Sequence, residues 1–522
     1  MRRLLPALFL ASAALLGAES EVSVRVPGVA VVADRVLLLN EAIDRALTHN
    51  LGLAVTRLDA ASAHDAVIAA DAEFDASFGW SNTLRRGSDP VSRWTGVPAT
   101  GGHDSDVSLT RKFTWGGRLT LGAGLTRNWN ELAAPGLPSR YDFGTSVAYT
   151  QPLLAGAWES VNLSSLIAAK QGALRGRLAL RATSLDLIRD TEIAYWSLAG
   201  ARTLVALRQS SLRSAESLLA QVQAKRSLGD ATVLEELQAE ADVASQRVAV
   251  LNASQSVDGA EMSLRRLLGR GTVEEVQAVL AVQPLGSAPI PPPAEFAPWI
   301  RTVAAFDFAT AIQLSQLTQA DANLAQARQN DQPQLDLTLA GSNYGNPGVG
   351  FAGGFDSFRD RAGWNQSLTL ALRIPLGGRE TAANLRVATR TRRQAELRLA
   401  DVKQSLVFTA RAAWRDLDAG RARVTAATSA LELQRKAYEG ERARYEAGQS
   451  DLLRVLQAQA ALDAAQLNWI QSLLDARVAL ARAARLDGSL LATHGYSMDA
   501  VEAKVGAGSG LDDSLPPLPE TP

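Results

Sequence analysis

Apolar positions between Tyr445 and Gly488 recur at alternating steps of three and four. Leu452, Val455, Gln459, Leu462, Gln466, Trp469, Leu473, Ala476 and Leu480 form a heptad seam that is apolar at seven of nine positions. The seam one residue on (Leu453, Leu456, Ala460, Asp463, Leu467, Ile470, Leu474, Arg477 and Ala481) is apolar at seven of nine as well. Two adjacent seams suit a helix with a neighbour on each flank, as in a ring of helices. This helix opens after the glycine turn Tyr445-Glu-Ala-Gly448-Gln-Ser450. The same unit occurs earlier, where Arg226-Ser-Leu-Gly229-Asp-Ala231 opens a helix stepping through Leu234, Leu237, Ala241, Ala244, Val248, Leu251 and Met262 to Leu267-Leu268-Gly269. Gly229 to Gly269 and Gly448 to Gly488 are both 40 residues, so the chain is an internal duplication with an offset of 219.

Ahead of each such unit the period changes. Residues 36 to 73 carry Leu39, Ala42, Ile43, Ala46 and Leu47 at helical spacing and predict a helix or broken helix pair. From Phe74 the period is two, with Phe74, Ala76, Phe78 and Trp80 alternating with Asp75, Ser77, Gly79 and Ser81. Further alternating runs cover 106 to 115, 118 to 128 and 142 to 153, and in the second half 334 to 344 and 364 to 376. Most are close to the ~9 to 11 residues of a tilted membrane strand. Met1-Arg2-Arg3, the apolar run Leu4 to Leu16 and the small residues Gly17-Ala18 read as a secretory signal peptide, cleaved between residues 18 and 20. No later apolar run approaches the ~20 residues of a helical span, so membrane insertion has to use strands. Six of the ten tryptophans (Trp80, Trp94, Trp115, Trp129, Trp158 and Trp364) lie in or beside the strand regions, as aromatic girdles require. The organisation this gives is a signal peptide at 1–18, a first repeat at 19–288, a proline-rich linker at 289–298, a second repeat at 299–488 and a C-terminal tail at 489–522, disordered from Gly506 onward.

A Pro-Leu junction follows each strand region, Gln151-Pro152-Leu153-Leu154 and Ile374-Pro375-Leu376-Gly377. Helical sequence then runs over 161 to 228 and 379 to 447, about 100 Å each at 1.5 Å per residue. A secreted helix of that length has the periplasm to cross. The doubled order of helix, strands, Pro-Leu junction, long helix, glycine turn and heptad helix resembles the TolC-type outer-membrane efflux family over roughly residues 36 to 488. The resemblance implies an α+β membrane protein, an outer-membrane β-barrel continuous with a long periplasmic α-helical barrel built from two internal repeats. It also implies a homotrimer embedded in outer-membrane lipid, meeting an inner-membrane transporter through a periplasmic adaptor protein. The function implied is the outer-membrane channel of an efflux or secretion system.

The chain departs from that pattern twice. Asp75 to Pro152 is 77 residues, against 42 from Pro333 to Pro375, so the first half carries about 35 extra residues that include a hairpin from Asp106 to Asn128 turning at Gly116-Gly117. That hairpin either adds two strands or projects beyond the barrel, and projection is preferred because the second repeat has no counterpart. At the periplasmic tip, the resemblance implies acidic residues six and nine positions after the second-repeat glycine. Arg454 and Gln457 stand there; their repeat equivalents are Glu235 and Gln238. With Tyr445, Asp451 and the turn glycines Gly229 and Gly448, these make the candidate tip and gate. Glu235 and Arg454, at one height in the two repeats, are expected to pair there.

Other chemistry is sparse. His49, His64, His103 and His494 have no ligand spacing, and no phosphate loop or nucleophile motif is present, so neither catalysis, metal nor cofactor is expected. There is no cysteine, which excludes disulfides and thiolate chemistry, and a net charge of -1 implies no attraction to nucleic acid. The rival reading is a periplasmic adaptor or coiled-coil scaffold without a membrane barrel, which needs only one such hairpin and compact soluble β-domains.

Overall fold

The structure, a computed structural model, describes residues 36–87, 100–130, 140–269, 280–285, 290–292, 294–345, 348–360, 363–374 and 376–508. The signal peptide, the tail from 509 and Pro289, Pro293 and Pro375 lie outside the described residues. The opening segment is a broken pair, α1 (Leu39–His49) and α2 (Leu51–Asp71). Asn50 makes the break: its extended backbone ends α1, and its side chain accepts the Leu53 N–H at 3.0 Å to cap α2.

Six long strands follow the two-residue alternation: β1 (Ala76–Gly87), β2 (Thr100–Lys112), β3 (Arg118–Asn130), β4 (Arg140–Pro152), β5 (Gln334–Tyr344) and, after the short β6 (Gly348–Val349), β7 (Gly363–Arg373). They form one antiparallel sheet in the order β1-β2-β3-β4-β5-β7, with β6 pairing onto β4. The preference for a projecting hairpin is overturned here. Strands β2 and β3 are integral to the sheet, with β2 paired to β1 from Ala76↔Arg111 to Gly87↔Thr100 and β3 paired to β4 from Arg118↔Thr150 to Asn128↔Arg140. The reason is phase: Val107 and Leu109 fall opposite Trp80 and Phe78, and Leu121 falls opposite Val147. Inclusion therefore extends one apolar face unbroken while satisfying both backbone ladders. The hairpin turns where the glycines predict, with the Phe113 N–H donating to Gly117 O at 2.8 Å and Gly116 at φ 90°. A side chain at Gly116 would also meet Gly156 O at 2.3 Å.

Below the sheet, the one-turn helix α3 (Glu159–Asn162) leads into the 64-residue α4 (Ser164–Ser227), which pairs with α5 (Val233–Leu267). The second repeat contributes α6 (Phe296–Ala305), α7 (Phe308–Asn330), α8 (Gly350–Arg359) between β6 and β7, the 68-residue α9 (Arg379–Glu446) and α10 (Leu452–Asp487). Helix α10 packs against both α9 and α4, so the lateral order is α5-α4-α10-α9 and the helix with two seams has a neighbour on each flank. Close approach of α9 to α10 depends on Gly420, whose Cβ position lies 3.2 Å from Ala476 Cα. The start of the tail is ordered: α11 (Ser489–His494) and α12 (Met498–Gly508) bury Leu490, Leu491, Val501 and Val505.

The main core sits at mid-height, where α1, α4, α5, α10, α11 and α12 converge. Tyr195 anchors it, fully buried, its hydroxyl donating to Leu37 O at 2.8 Å and accepting the Gln283 N–H at 3.0 Å. Between α4, α5 and α10 the wall carries a polar layer instead. Buried Asp463 accepts from Ser211 Oγ at 2.7 Å and Gln246 Nε2 at 2.9 Å, with Arg208 at 3.4 Å. Burial holds the nearby Asp242 carboxyl above its usual range, against a hydrogen bond with Gln246, and the Asp463 charge adds to the rise. Asp463→Ala should cost about 2 to 4 kcal/mol because it strands both donors, whereas Asp463→Asn, which keeps a carbonyl acceptor, should cost less. Urea unfolding in detergent measures this, and equal losses in the two variants would show that packing, not hydrogen bonding, holds the layer.

Candidate channel wall and entrance

The register sorts the sheet's side chains into two unlike faces. Phe78 and Trp80 of β1, Val107 and Leu109 of β2, Leu121 of β3, Val147 of β4, Leu339 of β5 and Leu368 of β7 share one face. All are exposed, Phe78 at 71% and Leu368 at 69%. The opposite face carries Ser77, Ser81, Ser108, Thr120, Ser146, Thr338 and Thr369. No helix among the described residues is long and apolar enough to cross a membrane. An exposed apolar sheet face of this extent is what hydrocarbon would cover, leaving the polar face to line water.

Aromatic groups bound that apolar face at both ends. At the end nearest the long helices Phe113 stacks on Trp115 with centroids 4.6 Å apart, and Trp115 Nε1 donates to Tyr149 OH at 3.0 Å. At the other end the Arg127 guanidinium lies 5.3 Å from the Trp129 ring and 5.6 Å from that of Tyr141. Helix α8 extends this belt, with Phe351 and Phe355 edge-on to Phe143 at 5.2 and 5.6 Å. Amphipathic aromatics with a polar tip sit at the two boundaries of a bilayer for the reason that they satisfy both media.

At the far ends of the long hairpins, two turns of the same construction stand 219 residues apart. Gly229 at φ 88° and Gly448 at φ 72° close them, and the Asp230 and Gln449 N–H groups each reach back 2.9 and 2.8 Å to Lys225 O and Arg444 O. Thr232 and Asp451 then cap the helices that return toward the sheet. Glu235 completes a capping box, taking the Thr232 N–H at 2.6 Å, while Arg454 lies 3.5 Å from Asp451. Within the chain Glu235 and Arg454 therefore serve their own turns and do not pair. The helix-capping position claims the acid before a distant arginine can. Gln238 is half-buried and Gln457 exposed.

Tyr445 is brought furthest into the structure. It is 5% exposed, in a cluster with Leu218, Val222, Ala239, Leu452 and Val455 that joins hairpin to hairpin. Burial, and then the charge of Glu235, push its phenol up. Lys225 of the first hairpin sits 3.9 Å above its ring and donates to its carbonyl at 3.4 Å. Sequence reasoning missed Lys225, although a basic residue four positions before each turn glycine, Lys225 and Arg444, was a usable signal.

Among the described residues no group of three His, Asp or Glu side chains could hold a metal ion. A family model described as outer membrane efflux protein matches residues 105–270 and 307–489, one segment in each repeat. No curated protein matches the chain. Solved structures of similar fold include a membrane protein of Pseudomonas aeruginosa, with 23% identity, 86% of this chain and 90% of that one covered, and a TM-score of 0.65. The CmeC outer membrane channel of Campylobacter jejuni has 16% identity, coverage of 90% and 89% and a TM-score of 0.65. The open state of the MtrE outer membrane channel of Neisseria gonorrhoeae has 19% identity, coverage of 86% and 88% and a TM-score of 0.62. At these identities the likeness is one of fold. The family match covers both repeats, which separates the chain from an adaptor or scaffold with one hairpin. The chain belongs to the outer membrane efflux protein family and is an outer-membrane efflux channel, a non-enzymatic conduit whose helical part lies in the periplasm.

Proposed function

We propose that the channel works as a homotrimer that carries substrate out from an inner-membrane transporter, joined to it by a periplasmic adaptor, with the hairpin tips as the gated entrance. The observation that carries this reading is the open flank of the single chain. On α5 the seam residues Leu234, Leu237, Val248, Leu251 and Met262 are exposed, Leu251 at 67%. On α9, at the other end of the helix row, Val387, Leu397, Phe408 and Leu433 are exposed. A heptad seam left in water calls for a helix to cover it, and α9 of a second copy fits. Three copies of four helices make a ring of twelve.

The entrance residues are Tyr445, Asp451, Arg454, Gln457, Glu235 and Gln238 on the turns built by Gly229 and Gly448. The Lys225–Tyr445 contact ties the two hairpins of one chain at rest, and adaptor binding shifts the population toward separated tips. A cation over an aromatic ring contributes about 0.5 to 2 kcal/mol, enough to bias a gate without locking it.

Replacing Leu237 and Leu251 together with Asp should abolish the trimer on native mass spectrometry while leaving helix content unchanged, because buried unpaired charge costs several kcal/mol per site. A fully trimeric double variant would sink the ring. Lys225→Glu should raise closed-state conductance in planar bilayers roughly three- to tenfold, and Lys225→Arg should not. Identical conductance in wild type and both variants would eliminate the latch. Arg454→Asp should shift the reversal potential in a salt gradient toward cation selectivity, since it restores an acid at the position where the family resemblance implies one. An unchanged reversal potential would place Arg454 away from the ion path.

A further inference from the structure

The strands β2 and β3 have no counterpart in the second repeat, yet they occupy the interior of the sheet, between β1 and β4. Both outer strands, β1 and β7, lack a partner on one side among the described residues. Five successive antiparallel pairings make β1 and β7 run in opposite directions. Copies placed edge to edge therefore continue the antiparallel alternation without a break, and β1 and β7, at 12 and 11 residues, are matched in length. Free sheet edges are not tolerated in hydrocarbon, so each has to be paired.

The geometry points to a barrel wall of six strands per copy, with β2 and β3 in contact with lipid on one side and water on the other. This rests on the proposed assembly of copies around one axis. Two observations carry it. The apolar residues of the inserted hairpin, Val107, Leu109 and Leu121, continue the exposed apolar face of β1 and β4 in register, and its polar residues, Ser108 and Thr120, continue the opposite face. The second observation is a match of widths. Strands β1 and β5 follow directly on α2 and α7, and β4 and β7 lead into α4 and α9, so the sheet and the adjoining row α2-α4-α7-α9 in one copy share a single sector of the ring. Four helices at ~8 to 10 Å spacing span about 36 Å of arc. Six strands ~4.8 Å apart and tilted by ~40° span about 37 Å, whereas four strands at that tilt span about 25 Å.

The consequence is a conduit without taper. With six strands per copy the membrane exit is as wide as the periplasmic tunnel, and a trimer makes an eighteen-strand barrel about one and a half times the diameter of a twelve-strand barrel of the same tilt. The size filter then lies at the hairpin tips alone. Cargo that passes the tips meets no second constriction in the wall. A wall rich in serine, threonine and glycine also offers no strong single-sign field to hold it.

Single-particle imaging of the full-length protein in lipid nanodiscs reads the strand number directly. Six strands per copy around one barrel are expected, and a barrel of four per copy with β2 and β3 outside it overturns the inference. Labelling gives an independent reading, since the chain has no cysteine to interfere. In proteoliposomes, Leu109→Cys and Leu121→Cys should resist a membrane-impermeant maleimide at least tenfold more than Ser108→Cys and Thr120→Cys, and should react with a lipid-soluble one. Equal reactivity of all four with the impermeant reagent means a hairpin standing in water and refutes the wall. A protein that never forms a multi-copy barrel fails the proposed assembly instead, an outcome that imaging distinguishes from a four-strand wall.

Discussion

The backbone of a sheet in hydrocarbon has to find every hydrogen-bond partner within protein, and the rest of this molecule depends on that constraint. In the proposed assembly it fixes the parity of the strands, because only an even number per copy lets β7 of one copy meet β1 of the next antiparallel. It also fixes the phase of the side chains. A strand shifted by one residue would turn Phe78, Leu109 and Leu121 toward water and serines toward lipid. The inserted hairpin obeys both requirements at once, which is why it is accommodated within the sheet.

The helical layer meets a different constraint. Helices satisfy their own backbones, so what joins them is burial of side chains, and burial can be shared between chains. Toward the sheet α7 packs between α4 and α9, and α2 packs on α4; toward the tips α4 and α10 each have a neighbour on both flanks, while α5 and α9 have one. The apolar residues that remain exposed are concentrated on those outer helices and on the sheet face. In the proposed assembly, lipid covers the sheet face and further copies of the chain cover the outer helices. The buried Asp463 layer shows how the wall avoids being uniformly greasy: Ser211, Gln246 and Arg208 fix the relative height of α4, α5 and α10, which interchangeable leucines could not do.

Much of this was legible in the sequence because it repeats. The two glycine turns, the long helices and the strand periods were readable from spacing alone, and most observed boundaries fall within three residues of those expected, although β2 begins at Thr100, six residues earlier. The break at Asn50 was left open between one helix and two, and a capping side chain resolves it. The place of the extra hairpin was misjudged by comparison with the other repeat. The missing counterpart there favoured a projection, whereas the phase of Val107, Leu109, Leu119 and Leu121 against Trp80, Phe78, Tyr149 and Val147 places it in the sheet. Phase against a partner strand is invisible until the partner is known.

The tip was legible as a place but not as a set of contacts. Glu235 and Arg454 are equivalent by position, and opposite charge suggested a pair. Position within a helix decides otherwise. The third residue of a helix lies next to unsatisfied N–H groups, where a carboxylate is stabilised and a guanidinium is not. Glu235 accordingly closes on Thr232, and Arg454 lies against the acidic cap, Asp451. The bridge between hairpins falls instead to the ends of the long helices α4 and α9, where the partial negative charge of the carbonyls favours a cation and Lys225 finds the carbonyl and ring of Tyr445. The first turn therefore places its base, Lys225, where the long helix ends and its acid, Glu235, where the next helix begins, whereas the second sets Arg454 beside its acidic cap Asp451. Contact between them forms where the base of one repeat overhangs the aromatic of the other.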